Sequence, residues 1–163
     1  MSTGMIHDGM RRKGYVPERA YVMDKAIRFW YRPLAIKTRA AYLEGLDRQT
    51  TAADRETVSL GMISRQLIEW DLKYPSDWPE EKLRGEVVPT KDADLLLKGL
   101  DPFIQRTIAA VIGGLMASPL DPLDEEAIRQ EHAKLQGLSP GDVMKAMAEA
   151  EGERVGNSSA EPA

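Results

Sequence analysis

The sequence predicts a mainly α protein: a small helical domain with a short N-terminal β-hairpin and a helical C-terminal arm. Three observations carry that prediction. Apolar residues recur every three or four positions in two long stretches, near 52–72 and 103–115. The pairs Asp101–Pro102 and Asp121–Pro122 have the form of a helix cap followed by Pro at the first helical position. One short stretch alternates with period two: Ile27, Phe29 and Tyr31 against Arg28, Trp30 and Arg32.

The length, 163 residues, bounds the chain to one domain with tails. The boundaries read from composition are a disordered arm over 1–18, an α-helical core domain with an N-terminal β element over 19–117, a helical C-terminal arm over 118–151 and a disordered tail over 152–163. In the arm, Arg11–Arg12–Lys13 stand among Gly, Ser and Asp without a period. Tyr21–Val22 and Ile27–Tyr31 are the two runs expected to pair as a hairpin about Asp24–Lys25, and Pro33 ends the second. Residues 34–47 read as a helix with Ile36, Ala40, Leu43 and Leu46 on one face and Pro33 in its first turn.

The strongest helix runs from about 52 to 72. Thr51 is its N-cap, Asp54 stands three residues on, and Leu60, Ile63, Leu67 and Trp70 form its stripe. Tyr74–Pro75 stops it. Residues 73–90 are a polar loop punctuated by Pro. Thr90 is expected to cap a short helix over 91–98 ended by Gly99. Asp101 then opens the most apolar helix, with Phe103, Ile104, Ile108, Val111, Ile112 and Leu115. Within it, Gly113–Gly114 marks a place of fraying or of close approach by a neighbour. Asp121 caps a helix with a thin stripe of Leu123, Ala127, Ile128 and Leu135, and Ser139 caps a last segment with Val143, Met144 and Met147 on one side.

Composition removes several functions. With no cysteine there is no disulfide, thiolate metal site, iron–sulfur cluster or cysteine nucleophile. No apolar run approaches the roughly 20 residues of a membrane span. The N-terminus lacks the order of a secretory signal, so a soluble intracellular protein is expected. His7 and His132 are far apart and set among polar residues, and Glu69 and Asp71 point apart on a helix, so neither pair forms a catalytic constellation. Phosphate-binding and hydrolase signatures are absent. Charge is uneven. Residues 1–50 hold 10 Lys/Arg against 5 Asp/Glu, and residues 121–163 hold 4 against 10. A basic head and an acidic tail suit head-to-tail contacts, within or between chains.

Binding candidates are few. Arg28, Trp30 and Arg32, with Arg11, Arg12 and Lys13, mix charge with an aromatic as nucleic-acid surfaces do, but the net charge of −4 disfavours that partner. Trp78 in the loop is the type of side chain that anchors protein partners. The thin stripe of the last two helices, including Val143, Met144 and Met147, suits docking on a partner. The alternative for each is a structural role: Trp30 and Trp78 folded back on the helices, and the charges solvated.

The order of motifs resembles the tail assembly chaperones of long-tailed bacteriophages. The resemblance rests on Tyr31–Pro33 before a helix, Trp70–Asp71 at the end of the next, "GEVVPT" at 85–90, the leucine-rich Leu95–Leu100, and Pro102–Ile112. It covers about 26–114. The insertion "KYPSDWPEEKLR" and residues 120–163 depart from the pattern. The resemblance implies a non-enzymatic protein of the host cytoplasm, without cofactor or metal. Such a protein binds the tape-measure protein, recruits tail-tube subunits around it and leaves before the particle is finished. It also implies weak self-association, and in some members a longer form made by frameshifting. A structural virion component, such as a tail or head–tail adaptor, and a small nucleic-acid-binding regulator remain as alternatives.

Overall fold

The computed structural model describes residues 4–137, 141, 142, 144, 145 and 147–149. The chain divides into two compact units, Met1–Pro119 and Leu120–Ala163. The first is mainly helical and carries a three-stranded antiparallel sheet of order β1-β2-β3. The strands are β1 (Arg12–Val16), β2 (Ile27–Tyr31) and β3 (Leu67–Trp70). The helices are α1 (Ile36–Asp47), α2 (Ala52–Gln66), α3 (Ala93–Gly99) and α4 (Pro102–Ile112). The second unit holds α5 (Pro122–Leu135).

The hairpin expected at 19–32 is replaced by a longer one. The partner of β2 is β1, with Gly14 opposite Phe29 and Val16 opposite Ile27. Residues 12–16 are therefore sheet, not part of a disordered arm. The reason is burial: Tyr15 and Val16 are 6% and 0% exposed, which Tyr21 and Val22 could not supply. Tyr21 is instead fully exposed at the tip of a tight turn closed by Arg19 and Met23, with a left-handed φ of 66°.

The period-two reading of Ile27–Tyr31 is realised: Ile27, Phe29 and Tyr31 are buried, and Arg28 and Trp30 are half-buried on the outer face.

The helix expected over 52–72 ends at Gln66, and Leu67–Trp70 turns into β3. A strand here gives the free edge of β2 a hydrogen-bonding partner, and an unpaired buried edge would cost more than the lost helical bonds. Phe29 pairs with Trp70 and Tyr31 with Leu67. Gln66 fixes the junction: its carbonyl accepts from Arg32 N at 2.8 Å, and its side-chain amide donates to Arg32 O at 2.9 Å. Thr51 caps α2 as expected, accepting from Asp54 N at 3.1 Å.

Smaller differences follow the same logic. In α1 the buried side chain is Tyr42, while Ile36 is 89% exposed, so the apolar face is rotated from the one expected. Pro33 lies buried ahead of the N-cap Ala35. The cap of α3 is Asp92, not Thr90. Helix α4 stops at Ile112, because Gly114 takes a φ of +73°. Gly113 is where another helix comes close: a Cβ there would lie 3.1 Å from the Tyr42 ring. The core joins the sheet to helices α2 and α4 through Phe29, Met62, Ile63, Leu67, Ile108 and Ile112. Among the described residues no helix is long and apolar enough to cross a membrane.

Candidate partner-binding surfaces

The outer face of the sheet is set by alternation. Lys13 pairs with Trp30, Tyr15 with Arg28 and Trp30 with Glu69, so these side chains share one side. Lys13 Nζ lies 5.8 Å from the Trp30 ring centroid, and the Arg28 guanidinium 5.5 Å from the Tyr15 ring. Such contacts contribute about 0.5–1 kcal/mol at exposed sites. The basic and aromatic groups expected on one strand face are thus brought together, but with two carboxylates among them. Arg11 is held by Glu69 at 2.7 Å, and Asp71 accepts from Arg28 N at 2.7 Å with the Arg28 guanidinium 4.0 Å away. On the opposite face, burial pushes the Tyr31 phenol above its usual range, and the Arg12 guanidinium, hydrogen-bonded to it, pulls it partly back.

Trp78 does not project freely. The loop 73–90 folds as a ladder: Tyr74 N donates to Glu86 O at 2.9 Å, and Val88 N to Leu72 O at 2.8 Å. Trp78 packs on Tyr74, ring centroids 5.1 Å apart, and reaches Gly99 at the end of α3. Arg84 Nε clamps its carbonyl at 2.7 Å. The side chain is half-buried against the core.

The second unit carries exposed apolar side chains. On α5, Leu123 is 65% exposed, Ile128 49% and Leu135 81%, while the small Ala133 is the buried one. Asp121 caps the helix through Leu123 N at 3.0 Å. Met144 is 75% exposed and Met147 half-buried, both in helical conformation; Val143 lies outside the described residues. Sequence reasoning placed Leu123, Ile128 and Leu135 on a thin stripe but did not distinguish a packed stripe from an open one. That distinction needs the positions of the other helices.

Among the described residues no cluster of three or more His, Asp or Glu is placed to hold a metal ion. Comparison with protein-family models, with curated proteins and with solved structures finds no match to this chain.

Proposed function

We propose that this chain is a bacteriophage tail assembly chaperone: a non-enzymatic protein that binds the tape-measure protein and tail-tube subunits in the host cytoplasm. The observation that carries the reading is the ordered run of motifs from Tyr31–Pro33 to Pro102–Ile112. The fold supports treating them as one unit. Trp70 Nε1 donates to Val88 O at 2.6 Å, joining the "WD" and "GEVVPT" segments. Lys91 Nζ donates to Ser64 O and Leu67 O at 2.6 and 2.9 Å, tying the following residues to the end of α2. One feature differs from the pattern: Trp70–Asp71 ends a strand rather than a helix.

Partner binding is assigned to the exposed apolar side chains Leu123, Ile128, Leu135 and Met144. Exposed apolar groups on acidic helices suit repeated, weak docking against amphipathic partner helices. The carboxylates of Glu69 and Asp71 reduce the positive charge around Trp30, which makes nucleic acid the weakest reading for the sheet face.

Co-expression with the tape-measure protein tests the reading. The chain is expected to keep that protein soluble and to co-purify with it. Failure to bind, together with normal tails after deletion of the gene, overturns it. Mass spectrometry of finished particles separates a chaperone, which leaves, from a permanent virion component, which stays.

A further inference from the structure

A cleft of about 180 Å³ opens between α1, α2 and α4. Its apolar wall is Leu46, Ala109, Ala110 and Leu115. Its polar side holds Gln105 of α4 and a hydroxyl pair, Tyr42 Oη and Ser59 Oγ, 3.1 Å apart. Gln105 is 5% exposed, yet its side-chain amide makes no hydrogen bond among the described residues. No fully enclosed side-chain nitrogen or oxygen there lacks a partner, so the Gln105 amide keeps access to water, and Gln105 lines the cleft. At the rim Arg106 is held by Glu56 at 3.2 Å, while Arg55 forms no ion pair among the described residues.

We propose that this cleft takes one apolar side chain of an acidic partner segment, with the Gln105 amide bonding the partner backbone and Arg55 receiving a neighbouring carboxylate. Size selects the occupant. Sites for whole small molecules run from about 300 Å³ upward. A cavity of about 150 Å³ accepts a benzene-sized group. The cleft therefore fits a leucine, methionine or phenylalanine side chain, not a complete small ligand. Gln105 selects the chemistry beside that anchor, since its amide offers donors and an acceptor complementary to a peptide group. Its amide keeps access to water, so a peptide group that binds it exchanges one hydrogen-bonding partner for another, and the gain is about that of one net hydrogen bond. The uncommitted Arg55 then sets the sign of the neighbouring charge. The inference rests on the reading of this chain as a protein-binding module and names the partner segment it accepts.

A dye-labelled synthetic peptide with one leucine between glutamates, titrated into the full chain, tests this by anisotropy and by amide NMR. Saturable binding that shifts the Gln105 side-chain signals is expected. Gln105→Met keeps the volume and is expected to weaken binding about tenfold, the loss of roughly one hydrogen bond. Arg55→Glu is expected to reverse the preference toward the same peptide with lysines. Circular dichroism checks that both variants fold.

The proposal is overturned if Gln105→Met binds as well as the parent. It is also overturned if a leucine-to-alanine peptide binds equally, if acetate alone displaces the peptide, or if the shifts fall only on α5. Capture of the tape-measure protein keeps the two readings apart. Equal capture by the parent and both variants, with no saturable peptide binding at the cleft, removes the cleft and leaves the chaperone reading. Peptide binding at the cleft without any such capture does the reverse.

Discussion

Gly14 shows how one residue ties the sheet together. It faces Phe29 across β1 and β2, and a Cβ at this position would clash with the Cζ and both Cε atoms of the Phe29 ring. Gly14→Ala is therefore expected to destabilise by about 1–3 kcal/mol, read as a lower urea midpoint, through overpacking. Tyr31 gives a pH signature. Its phenol titrates above the usual 10.0, so the folded state holds that proton after the unfolded chain has released it. The stability involved is intact below about pH 10 and is lost as pH rises through the folded value. Replacing Tyr31 with Phe is expected to flatten the alkaline fall in urea midpoint, and an unchanged slope would assign the fall to other groups. Neither feature was legible in the sequence, where Gly14 stood in an arm without a period. Trp30 and Trp78 were legible as candidates by residue type alone. The structure half-buries both and gives each a partner, Lys13 for the first and Tyr74 for the second.

At the scale of elements, caps were the most readable feature. Asp101 accepts from Phe103 N at 2.8 Å and Ile104 N at 3.4 Å, at the start of the most apolar helix. Asp101→Ala is expected to cost about 1 kcal/mol in a thermal or urea melt, and Asp101→Asn much less. A cap is legible because its bonds reach only two or three residues along the chain. The end of α2 was not legible. Leu60, Ile63, Leu67 and Trp70 satisfy helical spacing, yet Leu67 and Trp70 are buried with residues 67–70 forming β3. The stripe was right about which side chains are inside and wrong about the backbone that puts them there. The deciding factor is the β2 edge, some forty residues earlier, whose polar groups need a partner.

At the scale of the whole molecule, the question is which apolar side chains the fold leaves open. Ile128→Glu and Leu135→Glu are expected to change stability by less than about 0.5 kcal/mol, since both side chains are exposed. Co-purification with the tape-measure protein should nevertheless fall with either. Loss of folding would show that these residues pack, and retained co-purification would move partner binding elsewhere. The sequence by itself determined the mainly helical class, the caps Thr51, Asp101 and Asp121, the alternating strand at Ile27–Tyr31 and the separation of a basic head from an acidic tail. Each depends on neighbours within a turn or two, or on composition alone. Only the tertiary structure decided that Arg12–Val16 pairs with β2, that β3 follows α2 without a loop, and that Gln105 faces a cleft. Those outcomes depend on which distant segment satisfies a given edge or amide, and that is settled by burial and hydrogen bonding across the fold.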